Sequence, residues 1–66
     1  MQLYGVFYSI YRRIDGEILT DCETAFGMAT SKATAQIMLV REIRKIFSEE
    51  EYGIVIHDVQ KSQSDE

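Results

Sequence analysis

The sequence has no proline, one cysteine (Cys22) and one histidine (His57). Without proline, strands and a helix can run unbroken. A single cysteine cannot form an intramolecular disulfide, which argues for a reducing compartment and against a secreted disulfide scaffold. No stretch approaches the ~20 apolar residues that a membrane-spanning helix needs. The start, Met1-Gln2-Leu3-Tyr4, lacks the basic and apolar regions of a signal peptide. These absences give the expectation of a cytoplasmic protein. Metal-ligand spacing, a glycine-rich phosphate loop and a nucleophile elbow are missing as well. The chain therefore reads as non-enzymatic, with no cofactor and no metal.

The chain has 66 residues, 11 of them acidic and 7 basic, for a net charge of −4. That length holds one domain, which buries only about 60% of the surface its unfolded chain exposes. A core of this size typically supplies ~3–5 kcal/mol, and small domains add a disulfide, a metal or a second subunit. With the first two missing, self-association is the remaining staple. The acidic balance disfavours broad attraction to nucleic acid or anionic membrane.

Residues 2–14 are rich in Tyr, Val, Phe and Ile, the strand-favouring types. Asp15-Gly16 follows, then a second strand-like run from Glu17 to about Met28. Asp-Gly between two such runs predicts a hairpin with a type I′ turn. A two-residue loop pairs Ile14 with Glu17, Tyr11 with Thr20, Ser9 with Cys22, Phe7 with Thr24, Gly5 with Phe26 and Leu3 with Met28. Opposed residues share a face. One face then holds Leu3, Phe7, Tyr11, Ile18, Cys22, Phe26 and Met28, with Arg13 its sole charge, and is assigned to the core. The other holds Tyr4, Val6, Tyr8, Ile10, Leu19 and Ala25 among Arg12, Glu17, Asp21 and Glu23. A bulge would invert this assignment beyond it, and Gly5 or Gly27 could host one.

A helix is expected from Thr30-Ser31, either of which can cap it, to about Phe47 or Ser48. Leu39, Val40, Ile43, Ile46 and Phe47 share its apolar face. Ser48-Glu49-Glu50-Glu51 is the exit loop, and Tyr52 to Val59 a third strand. A strand–helix–strand unit joins parallel strands by a right-handed crossover. The fold class is thus α+β: ββαβ, a sheet of order 2-1-3 with the helix on one face. The domain spans 1–60, and 61–66 is expected to be a disordered polar tail.

One sheet face stays uncovered in this arrangement. Tyr4, Val6, Tyr8, Ile10, Leu19, Asp21 and Glu23 are its candidate partner-binding residues. Tyr4, Tyr8 and Ile10 are the anchors, and Asp21 and Glu23 the charged rim. The third strand adds either Val55, His57 and Val59 or Ile54 and Ile56. Apolar patches beyond a few hundred Å² mark contact sites. Open sheets with aromatics also stack nucleobases, but such platforms need a basic surround. Arg41, Arg44 and Lys45 form a candidate basic stripe on the outer helix face, which equally suits a solvated face. The acids Glu49, Glu50, Glu51, Asp58, Asp65 and Glu66 read as solubilising, or as an imitation of a phosphate backbone. Cys22 reads as a small buried hydrophobe, with His57 on the opposite face.

The short proline-free chain, its acidic balance, the ββαβ pattern and the lack of a catalytic motif resemble the small accessory proteins of phages and other mobile elements, anti-CRISPR proteins among them. Ribosome-associated and regulatory domains share these features. The resemblance spans the whole chain and carries over no functional residue. It implies a protein that occludes another protein's surface, in the host cytoplasm if phage-encoded. A protein-binding module, homodimeric through the open sheet face, is the first expectation. A nucleic-acid-contacting regulator and a structural subunit of a larger assembly are the alternatives.

Overall fold

The strand-forming run at the start of the chain becomes β1, Gln2–Arg12, and turns back into β2, Ile18–Ala29. Helix α1, Lys32–Arg44, and strand β3, Tyr52–Lys61, follow. The computed structural model describes residues 1–62. β1 lies in the middle, antiparallel to both neighbours, in the expected order β2-β1-β3. The third strand runs two residues further than expected. Lys61 belongs to it, and the Ser62 N–H donates to the Leu3 carbonyl at 2.7 Å. The rest of the expected tail, 63–66, lies outside the described residues.

The hairpin forms where Asp15-Gly16 places it, with a different loop. A type I′ turn needs positive φ at both central residues, and only Gly16 takes one, at 75°. Instead Arg12 N–H donates to the Glu17 carbonyl at 2.8 Å and Gly16 N–H to the Arg12 carbonyl at 2.7 Å, leaving a four-residue loop. Asp15 stabilises the larger loop. Its carboxylate accepts from the Glu17 amide at 3.1 Å and from the Arg12 guanidinium at 2.7 and 3.2 Å. Arg12 also pairs with Glu17.

From Leu3↔Met28 to Phe7↔Thr24 the expected pairing holds. It then slips twice, giving Ile10↔Thr20 and Tyr11↔Ile18. Each slip places one extra residue on β2, Asp21-Cys22 against Ser9 and then Leu19. β3 carries a matching irregularity, because Phe7 pairs with Asp58 but Tyr8 with Ile56, leaving His57 extra.

The core lies on the face opposite to the one expected. Val6 and Ile10 are fully buried (0% exposed), and Tyr4 is nearly so. Ala35, Leu39 and Ile43, spaced one turn apart along α1, are buried with them. Small residues on the same face of β2 let the helix approach. A Cβ added to Gly27 would lie 3.1 Å from Leu39, while Ala29 is buried and Ala25 half-buried. Leu3, Ile18, Phe26 and Met28, expected inside, are exposed.

The helix is capped by Ser31, whose hydroxyl accepts from the Thr34 amide at 3.2 Å. It ends at Arg44, a turn earlier than expected, and Ile46 is exposed. The Arg44 guanidinium donates to the carbonyls of Ser48 and Tyr52, at 3.3 and 2.7 Å, and Phe47 meets Tyr52 edge-on with centroids 5.2 Å apart. These contacts hold the helix exit against β3.

Two outcomes follow from this packing. Ile10→Ala should lower unfolding free energy by about 2–4 kcal/mol, most of what a domain this small has. A urea melt that moves by less than ~1 kcal/mol would show that Ile10 is not in the core. The second concerns the Asp15 carboxyl, held below the usual aspartate range first by the Arg12 guanidinium and then by the Glu17 amide. Its stabilisation of the hairpin end is complete above the ordinary aspartate pKa. It is lost as pH falls through the lowered one. Carboxyl NMR should show Asp15 titrating low and Arg12→Ala moving it up toward the ordinary value, with the Glu17 amide holding part of the shift.

Candidate functional site

Ser9 sits in the middle of β1, opposite a bulge in β2 and just past the level of the bulge in β3. Its hydroxyl oxygen lies 2.8 Å from His57 Nε2, accepts from the Cys22 amide at 2.9 Å, and donates to Asp21 Oδ1 at 3.4 Å. Ser9 is 5% exposed, although Asp21, Cys22 and His57 are all exposed. One proton arrangement satisfies every group. His57 Nε2–H donates to the serine oxygen, and the serine proton goes to Asp21. The oxygen then accepts two hydrogen bonds and donates one, its full complement.

The bulges create this cluster. Cys22 takes a positive φ of 57°, a conformation that costs a non-glycine residue roughly 1–2 kcal/mol. The turn it makes brings Asp21 to the Ser9 side of the sheet. The extra residue in β3 does the same for His57, so the histidine joins the cysteine's neighbourhood rather than the opposite face. Cys22 is exposed, not a buried hydrophobe. In a Ser-His-Asp relay the carboxylate holds the imidazole's far nitrogen. Here Asp21 holds the serine, and among the described residues no hydrogen bond joins it to His57. The cluster ties β2 and β3 to the central strand.

Around it lies the open sheet face, made by the odd-numbered residues of β1 and their partners. Leu3, Phe7, Tyr11, Ile18, Phe26, Met28 and Val55 are its apolar members. Two of its aromatic rings lie over glycines of the neighbouring strand. Phe26 covers Gly5, where an added Cβ would lie 3.1 Å from the ring. Tyr11 covers Gly53, where an added Cβ would fall inside the ring. Both rings lie down across those glycines, so neither stands up from the sheet. Phe26 is still 63% exposed. A shallow hollow of about 360 Å³ between Gly5, Phe7, Phe26, Gln60, Lys61 and Ser62 adjoins it. On the β3 side Asp58 stays ionised, its carboxyl lowered by the Gln60 side-chain amide and then by the Val59 N–H, each at 2.8 Å.

The expected partner-binding residues divide between the two faces. Tyr4, Val6 and Ile10 lie beneath the helix and cannot anchor a partner; Tyr8, on the same face, is half-buried. Leu19 is exposed at a bulge. Asp21 has moved to the Ser9 cluster, and Glu23 is exposed on the β2 edge. The basic stripe is smaller than expected. Arg44 is held by two backbone carbonyls, and Lys45 pairs with Glu42 at 3.2 Å, leaving Arg41 exposed.

No family model matches the chain. Neither a curated protein nor a solved structure matches it. Among the described residues, no helix is long and apolar enough to cross a membrane, and no three His, Cys, Asp or Glu gather as metal ligands would.

Ser9→Ala should cost about 1–3 kcal/mol, because the Cys22 amide loses its acceptor. Cys22→Gly should stabilise by up to ~1 kcal/mol, because glycine adopts the positive φ without strain. Thermal melts of the two variants moving in the same direction would refute this account of the bulge.

Proposed function

We propose that the chain is a non-enzymatic protein-binding module whose contact surface is the open sheet face centred on Phe26. The supporting observation is one flat face on which Leu3, Phe26, Met28, Ile18 and Val55 are all exposed, beside the half-buried Phe7 and Tyr11. Isolated exposed apolar residues are ordinary, but a contiguous set of them marks a contact surface. Charge on this face is sparse and mostly at its margins. Asp21 and Asp58 lie on it, Arg13 reaches over the Tyr11 ring at the hairpin end, and Lys61 lines the hollow beside Phe26. Such a face suits an apolar protein surface better than a phosphate backbone. The resemblance to small mobile-element inhibitors, in size, acidity and ββαβ pattern, supports action by occlusion. Such a protein covers a partner's surface and changes no bond in it.

A role in contacting nucleic acid through the helix has less support. Two of the three cations it would use are already engaged, and Glu42 lies among them.

Affinity capture from the source cells tests the reading, with the wild-type chain, Phe26→Glu/Met28→Glu and Arg41→Glu as baits. The sheet-face variant should keep its far-ultraviolet spectrum and lose captured protein, including untagged copies of the chain, by tenfold or more. The helix variant should retain them. Equal capture by all three baits would sink the reading.

A further inference from the structure

We infer that the occupant of the open face is a second copy of this chain, so that two sheets stack face to face with the helices outside. This rests on the reading of that face as a contact surface and goes beyond it by naming what covers it. Four observations carry it.

The first is that the sheet is apolar on both sides. Tyr4, Val6 and Ile10 lie on one face of β1, and Leu3, Phe7 and Tyr11 on the other. An antiparallel sheet with one face in water ordinarily alternates apolar and polar residues, and a central strand apolar on both sides departs from that pattern. One helix covers the first. The remaining residues of this sequence, Gln63-Ser64-Asp65-Glu66, are polar and provide no apolar cover.

The second is the size of the core. Among the described residues, the buried hydrophobic ones are Tyr4, Val6, Ile10, Ala29, Ala35, Leu39 and Ile43, and two of these are alanines. Larger side chains, Phe26 and Met28 among them, lie outside. With no disulfide to assist, covering the second face is the stabilisation left to a core this small. A second copy is present wherever the chain is made, whereas a foreign protein need not be.

The third is area. Strands of 10 to 12 residues at about 3.3 Å each, three abreast at about 4.8 Å, make a face of roughly 35 by 15 Å. Two such faces bury about 1,000 Å² in total, which reaches the threshold of a specific interface.

The fourth is shape. Phe26 and Tyr11 lie flat over Gly5 and Gly53, and flat faces stack at the ~10 Å spacing of a β-sandwich. The edges are less suited to pairing, because β2 is bulged opposite Ser9 and β3 is bulged opposite Phe7 and Tyr8.

The test uses the full chain. Sedimentation equilibrium should give twice the 7.6 kDa chain mass, and Phe26→Glu should give the single mass with an unchanged far-ultraviolet spectrum. A second measurement needs no variant. Isotope-filtered NMR on a mixture of labelled and unlabelled wild-type chains should show contacts between copies at Leu3, Phe26 and Met28. A monomer up to about 100 µM overturns the inference. So does a dimer whose inter-copy contacts lie at Ile37 and Met38 on the outer helix surface. If the wild-type chain is a monomer and the Phe26→Glu/Met28→Glu bait still loses a foreign protein, the face is a contact surface with a different occupant. If that bait loses nothing, the reading of the face fails too.

Discussion

Strand β1 is hydrogen-bonded along both edges and apolar on both faces, and among the described residues there is one helix to cover them. Most of the structure answers to that imbalance. The helix must choose a face, the other face must stay flat and tolerable in water, and the outer strands must shield the sheet's two edges. A three-stranded sheet under a thirteen-residue helix encloses few side chains completely. The large apolar residues left outside are therefore a consequence of topology and not of careless patterning.

The hand of the crossover decides which face the helix takes. Arg12, an even-numbered residue of β1, bonds through its backbone to β2, and Leu3, an odd one, to β3. With β2 and β3 parallel and joined by a right-handed crossover, L-residues bonded toward β2 point their side chains under the helix. Tyr4, Val6 and Ile10 are therefore inside. The small residues Ala25, Gly27 and Ala29 agree with this, because a helix can lie close only where β2 presents little side chain. A methyl group at Gly27 would already press on Leu39.

Much of this was legible in the sequence. Strand-favouring residues on either side of Asp15-Gly16 locate the hairpin. The connection rules give the order 2-1-3, and the hairpin register holds from Leu3 to Phe7. Charge is a misleading guide to the faces, because Asp21 crosses to the other side at the Cys22 bulge and Arg12 is occupied with Asp15 and Glu17 at the hairpin tip. The parity of hydrogen bonding next to the turn was the better guide. It assigns the even residues to the helix for a two-residue or a four-residue loop alike. The β3 bulge left a trace as well. Tyr52, Ile54 and Ile56 keep a spacing of two, and the next half-buried apolar residue is Val59, three further on. No comparable signal marks Cys22, since a non-glycine residue at positive φ leaves no mark in composition. The Ser9 cluster depends on both bulges at once and was hidden for that reason. Arg44 looked like part of a charged stripe because the carbonyls it reaches belong to a loop and a strand start that helical periodicity does not see.

The bulges act on the edges and on the face together. An edge strand presents a row of unpaired amides and carbonyls that another chain can extend, and bulges interrupt that row. β2 is interrupted opposite Ser9 and again beside Ile10, and β3 opposite Phe7 and Tyr8, so continuous edge pairing is blocked on each side near mid-strand. The same irregularities bring Asp21 and His57 onto the open face, where they hold the serine between two apolar lobes. Leu3, Phe7, Phe26 and Met28 form one lobe; Tyr11, Ile18 and Val55 form the other. Two uninterrupted apolar faces could slide past one another at little cost in energy. A polar centre removes that freedom, because any displacement would bury Asp21 or His57 against hydrocarbon without a partner. The interruption that closes the edges would thus also fix the register of a second copy stacked on the face.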